Sequence, residues 1–225
     1  MEKSVEINPV MTLIGGVLAI AAMTFTVIFI SASVIFYTIS PWRPLFFWYF
    51  IFPVPNTGYS IPDQFLSELG VGPTAAIYNY GLMITGAVCV PIFPIVCRLL
   101  KKTIIARLAA VFGVAGCVAL IGVGVYPMHI SGPHGLFSFA FFALTGLAII
   151  TASIAMCRGE FFTRYIAYLG IVVIAADIIL GILGNPISEW GTTMLFIIWV
   201  YAVGIQMLLK RNTCLLYTSP SPRDS

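Results

Sequence analysis

The chain has 225 residues, of which 60% are hydrophobic and only 8% charged, with a mean hydropathy of +1.04. A water-soluble domain carries about a quarter charged residues, and a chain of this size could not hide so much apolar surface in one core, so a soluble enzyme and a nucleic-acid binder are both excluded. The net charge of +3 then reports how the chain is threaded through a bilayer, not an affinity for nucleic acid.

Crossing the hydrocarbon core takes about 20 mostly apolar residues in a helix. Six stretches qualify, at 10–37, 74–100, 103–126, 134–156, 164–184 and 192–209. The first is long enough to tilt or to project beyond the hydrocarbon layer. Glu2 and Glu6 mix the charge of its leader and no small-residue cleavage pattern follows, so it reads as a retained span and not as a secretory signal. The connection after it, Ser40-Pro-Trp-Arg-Pro-Leu-Phe-Phe-Trp-Tyr-Phe-Ile-Phe-Pro53, is too short and too proline-bounded to cross. Trp42, Trp48 and Tyr49 favour the headgroup level, which predicts an aromatic interfacial segment in the first outer loop, either capping the bundle or walling a lipid-like ligand.

Turn signals follow at Pro53, Pro55, Asn56, Gly58 and Pro62, then Ser67-Glu-Leu-Gly70 and Pro73, the last suited to the first turn of the second span. Pro91 and Pro94 would kink that span. The two histidines of the chain, His129 and His134, lie in the third connection, with His134 expected to open the fourth span and Ser138 to follow one turn later. On the fifth span Gly170, Asp177, Gly181 and Gly184 share one helical stripe. Glycine admits close helix contact in a membrane, so the stripe predicts Asp177 turned into the bundle. Asn79, Gly86, Gly113 and Gly116 offer similar contacts on the second and third spans. Glu189 and Trp190 introduce the sixth span, where a carboxylate favours the helix dipole. The last stretch, Cys214-Leu-Leu-Tyr-Thr-Ser-Pro-Ser-Pro-Arg-Asp-Ser225, has no periodicity and resembles the translated end of a transposase adapter used in sequencing libraries. Residues 1–213 are therefore read as a single six-span domain, and 214–225 as lying outside the fold.

Charge fixes the expected orientation. Arg98, Lys101, Lys102 and Arg107 flank the second connection, Arg158 and Arg164 flank the fourth, Lys3 precedes the first span, and Lys210 and Arg211 follow the last; Arg43 is the one basic residue of the odd connections. The positive-inside rule puts both termini on the cytoplasmic side of the cell membrane. It gathers Asp63, Glu68, Asp177 and Glu189 toward the outer side. Cys89, Cys97, Cys117 and Cys157 fall in spans or at the inner face, so neither a disulfide framework nor a thiolate zinc site is expected. No phosphate-binding glycine loop, dinucleotide fingerprint or haem-binding cysteine motif occurs, and no cofactor or resident metal is expected.

An ionisable side chain inside a span is costly and is therefore a site candidate. Asp177 reads as a proton acceptor, cation ligand or binding anchor, or else as a structural acid bonded to Asn79, a histidine or the backbone. His129 and His134 beside an acidic residue could furnish nitrogen and oxygen metal ligands, touch a ligand or proton, or serve as satisfied loop residues. Ser67 with a histidine and an aspartate has the composition of a hydrolytic set, although serine before a helix is more commonly a cap.

Ser67-Glu-Leu-Gly70, Ile77-Tyr-Asn79, Gly81-Leu82 and Gly86, followed by Val125-Tyr-Pro127, His134 and the Phe-rich fourth span with Ser138, Phe141 and Phe142, resemble in order and spacing the signature of the domain-of-unknown-function 998 family of six-span membrane proteins. The pattern is more distantly similar to the Frag/DRAM/Sfk group, some of whose members are linked to lipid-anchor processing. The resemblance covers 12–209, implies the six-span layout, and puts Glu68, Asn79 and His134 at the family's characteristic polar positions; it supplies no reaction. Glu68 stands where the family more commonly has aspartate, and the aromatic run is longer than its pattern.

The expectation is thus an all-α, integral membrane six-helix bundle of unknown biochemical activity, more in keeping with a binding protein than an enzyme. Its outer cluster of Ser67, Glu68, Asn79, His129, His134, Asp177 and Asn185 would bind a lipid headgroup, small solute or proton, with the lipid bilayer as its standing partner. The alternative is a metal- or serine-dependent lipid-remodelling enzyme using the same cluster, and a purely structural subunit is a third reading. Alternating-access transport finds little support, since the halves share no repeat with interrupted helices.

Overall fold

The computed structural model describes residues 8–47, 50–55, 57–101 and 103–218, giving only the backbone for 44–47, 50–54 and 212–218. Its elements run α1 (Pro9–Ile39), β1 (Trp42–Phe47), β2 (Phe50–Pro55), a 3₁₀ turn (Leu66–Gly70), α2 (Ala75–Cys89), α3 (Ile92–Leu99), α4 (Ile104–Val125), α5 (Ser131–Arg158), α6 (Arg164–Leu183) and α7 (Pro186–Thr218). With α2 and α3 taken as one span, six helices are long and apolar enough to cross a membrane, as the hydropathy predicts.

Local chemistry accounts for the helix ends. Asn8 starts α1 by accepting the amides of Val10 at 2.9 Å and Met11 at 3.3 Å, two of the donors that a helix leaves orphaned. Thr103 does the same for α4 through Ala106, at 3.2 Å. Gly184 stops α6 in the left-handed region at φ +58, where a residue without Cβ sits at no cost. The second span is two helices instead of one because Pro91 has no N–H to continue the ladder. Pro94 falls in the first turn of α3, where none is needed. Three starts differ from expectation. Thr74 caps α2, so Pro73 precedes the helix. α5 begins at Ser131, which places His134 within its first turn. α7 begins at Pro186, six residues ahead of 192, with Asn185 as its cap.

The aromatic run is a hairpin of antiparallel strands, pairing Trp42 with Pro55 through to Phe47 with Phe50. Pro44 lies opposite Pro53. Neither residue has an N–H, so this pair falls at a non-hydrogen-bonded position of the ladder and sacrifices no bond. Trp42 is exposed; Trp48 and Tyr49 lie outside the described residues.

The spans close into a ring in chain order, each packing on the next and α7 returning to α1. Small residues allow the closest approaches: at Gly86 a Cβ would stand 2.7 Å from the Cys117 carbonyl, and at Gly116 2.8 Å from the Thr145 hydroxyl. The glycine stripe on α6 behaves otherwise. Gly170 is pressed between Ser153 and Trp199, yet a Cβ at Gly181 would meet nothing within 4 Å. Spacing put these glycines on one face, and only the end of that face near Gly170 is covered: toward the hairpin end α6 stays beside α7, to which the two-residue Gly184–Asn185 turn joins it, and a cleft separates it from α5. The segment between β2 and α2 plugs that end of the ring, burying Leu66 at 3% exposure and Leu69 at 0%.

Candidate functional site

Where α6 parts from α5, a cleft of about 610 Å³ opens between the 3₁₀ turn and the hairpin-end halves of α5, α6 and α7. Ser67, His134, Asp177 and Asn185 line it, joined by Ser138, Ser188, Glu189 and Thr192. Its lining carries two carboxylates and no lysine or arginine. Apolar walls from Phe139, Phe142, Ile178 and Ile182 complete it.

Each polar group is held by a local device. His134 presents Nδ1 to the Tyr126 carbonyl at 2.8 Å and Nε2 to the Ser138 hydroxyl at 3.3 Å. A carbonyl only accepts, so Nδ1 carries the proton and Nε2 accepts from Ser138. Both nitrogens are thereby engaged. Asp177 faces α5 at Gly146 and has the Thr192 hydroxyl of α7 as its side-chain hydrogen-bond partner. Of the partners expected for a structural Asp177, Asn79 is spoken for elsewhere: its Nδ2 donates to the Gly70 carbonyl at 2.8 Å and clamps the 3₁₀ turn to α2. Asn185 uses its Oδ1 to accept the amide and hydroxyl of Ser188, each at 2.9 Å.

The residue that ties the cleft together is Glu189. Its Oε2 accepts the backbone N–H of Ser67 at 3.4 Å and the Ser67 hydroxyl at 3.3 Å, while that hydroxyl also lies 3.7 Å from the Met128 sulfur. The Leu66 amide is a further donor to it. The Ser67 hydroxyl thus points at a carboxylate and not at an imidazole, so the nucleophile–base pairing of a hydrolytic set is not assembled. Among the described residues no three His, Cys, Asp or Glu side chains gather within reach of a metal ion.

Glu68, Asn79 and His129 stand apart from the cleft. Glu68 caps its own turn: Oε1 accepts the Phe65 amide at 3.1 Å and Oε2 accepts the Gln64 side-chain amide at 3.3 Å. Only this half of a capping box forms, since Phe65 has no side-chain acceptor. His129 is exposed in the α4–α5 turn. The sequence marked Glu189 as an acid at a helix start, but not as a site residue; its signal was the wrong one, because a carboxylate there satisfies the dipole argument whether or not it also reaches across to another element. Tyr59 and Gln64 were missed, and Trp190 was noted only as a residue at the start of the sixth span. Tyr59 donates to the Phe65 carbonyl at 2.8 Å and accepts from the Trp190 indole at 3.1 Å, and burial raises its phenol above the ordinary range. Together they pin the plug to α7.

Burial also pushes the Glu68 carboxyl up, against the lowering effect of the Phe65 amide, the Gln64 amide and Arg43. A raised folded-state value means that folding favours the protonated form. Its contribution to stability is therefore full at low pH and is lost as pH rises through the raised value. Compared with Glu68→Gln, the wild-type protein should lose stability as pH rises above the ordinary glutamate range of about 4.3, measured by thermal unfolding in detergent; parallel curves for the two proteins would clear Glu68 of that role.

The ring of spans defines a multi-pass membrane protein, with a polar cleft in the hairpin-end half of the bundle. The chain belongs to the family described as protein of unknown function (DUF998), whose model matches residues 43–206. No curated protein and no solved structure matches it.

Proposed function

We propose that the protein binds, in the cleft between α5, α6 and α7, a polar head bearing an ammonium or hydroxyl groups, belonging to a lipid or to a small solute. The observation that carries this reading is that Ser67, His134, Asp177 and Asn185, scattered along the chain, line one 610 Å³ space together with Glu189 and without a single cationic side chain. A carboxylate pair in a poorly hydrated wall favours a cationic partner and repels phosphate or sulfate. The apolar side of the same cleft suits the hydrocarbon portion of an amphiphile. With the basic connections taken as cytoplasmic, the cleft faces the outer leaflet of the cell membrane and both termini lie inside.

Ligand-observed NMR on right-side-out vesicles tests this. Ethanolamine added outside is expected to bind, glycolate is not, and Asp177→Asn should weaken the ethanolamine signal about tenfold, the worth of one charge-assisted hydrogen bond. Equal binding of ethanolamine and glycolate would remove the reading. Binding only from the inside would reverse the orientation.

A further inference from the structure

A second space lies in the centre of the ring: a partly open cavity of about 100 Å³ whose walls come from α1, α2, α3, α4, α5 and α7, with Leu66 of the plug in its lining. It is elongated. It is lined from Tyr78 to Cys89 along α2 and from Glu189 to Val200 along α7, eleven helical steps in each case, or about 16 Å at about 1.5 Å per step. Three of the polar groups in its wall are engaged with protein partners. Thr26 donates to the Ala22 carbonyl at 2.8 Å and meets Thr85 at 2.9 Å, and Thr193 donates to the Glu189 carbonyl at 2.8 Å. The rest of the wall is mostly hydrocarbon, ring faces and the Cys89 and Cys117 thiols, with Tyr78, Ser138, Thr145 and Glu189 its other polar residues. Ser138, Phe142 and Glu189 line both this cavity and the outer cleft, so the two spaces share a wall and Glu189 is the carboxylate at their junction.

We infer that the cavity receives one hydrocarbon chain of an amphiphile whose cationic head sits in the cleft, making the ligand a single-chain amine or amino alcohol drawn from the surrounding leaflet. An apolar cavity of this kind stays dry and takes apolar guests. A lipid chain gains no hydrophobic transfer on leaving a bilayer for such a site; its gain is the dispersion contact that an unfilled void forfeits. The absence of cations in the cleft excludes a phosphate-bearing head, and the narrowness of a space bounded by packed helices limits it to a single chain. For the position of its head the inference rests on the cleft reading; for the chain it stands on the cavity alone.

The test uses the full chain in detergent, with binding of a long-chain alkylamine, its short-chain homologue and a long-chain alkyl sulfate followed by native mass spectrometry. The long-chain amine is expected to bind about tenfold or more tighter than the short-chain one. Thr193→Phe and Leu120→Phe, each filling the cavity from a different helix, should abolish that advantage while Asp177→Asn weakens both amines alike. Independently of any substitution, the bound chain should shield Cys117 from a small alkylating reagent, with Cys157 as the internal comparison. A chain-length advantage that survives in both filled variants, or Cys117 alkylated equally with and without the long-chain amine, would overturn the inference and leave the cleft reading standing. If the alkyl sulfate binds as tightly as the amine, with Cys117 protected, the cleft reading fails and the chain site stands.

Discussion

Gly86→Ala is expected to destabilise the protein by about 3 kcal/mol, at the upper end of what overpacking costs, and Gly124→Ala by a similar amount. At Gly86 the added methyl would stand 2.7 Å from the Cys117 carbonyl oxygen and 3.3 Å from the Ile121 amide nitrogen. At Gly124 it would stand 2.6 Å from the Asn79 carbonyl oxygen and 3.3 Å from the Met83 amide. These are backbone atoms of rigid helices and cannot swing aside, so α2 and α4 must part. Gly81 and Gly113 provide the contrast. The nearest atoms there belong to the rings of Phe29 and Phe93, at their root carbons, and Phe29 is itself buried, so the same substitution must displace a packed ring instead of a backbone and should leave the α2–α4 spacing unchanged. One separation of the helices relieves both clashes at the α2–α4 seam, so the double variant Gly86→Ala, Gly124→Ala should lose less than the sum of the single losses. Thermal or denaturant unfolding of the purified protein measures this directly. A Gly86→Ala protein as stable as wild type would mean that α2 and α4 do not touch here.

That seam also illustrates which parts of the structure were legible in the sequence. Spans were, because a bilayer demands about 20 apolar residues and few sequences meet that by accident. The break at Pro91 was legible for the same reason: a missing N–H is a local fact. Gly86 and Gly116 could be named as close-contact positions. Gly181 could not be told from them, since spacing selects a helix face and says nothing of whether a neighbour covers it. The hairpin was hidden in a run of aromatic residues and prolines with no apolar–polar alternation. In the candidate site, Ser67, His134, Asp177 and Asn185 were grouped by residue type and depth, and the four line one cleft. Glu68 and Asn79 were gathered with them on equal grounds, yet Glu68 is taken up by the Phe65 amide and the Gln64 side chain, and Asn79 by the Gly70 carbonyl. A polar side chain near a helix start has the same signature whether it caps the helix or meets a ligand, and only the direction in which it points separates the two.

Glu189 carries the largest consequence of that distinction. Glu189→Ala is expected to cost about 3 kcal/mol, because it strands the Ser67 amide and hydroxyl in a buried setting, at about 1–3 kcal/mol for an unsatisfied group. Ser67 is 6% exposed, with little water to take the place of the lost acceptor. The loss should be local in its first effect. With the latch between α7 and the 3₁₀ turn gone, the plug is held by the Tyr59–Trp190 hydrogen bond and the Asn79 clamp, and amide exchange should rise at 66–70 before it rises in the spans. Glu189→Gln separates structure from charge. A glutamine oxygen still accepts from Ser67, so most of the stability should return, while the cleft loses one of its two carboxyl groups and the proposed binding of a cationic head should weaken. If instead Glu189→Gln unfolds as readily as Glu189→Ala, what holds the plug is the charge itself, acting with the α7 dipole, and the hydrogen bonds to Ser67 are secondary.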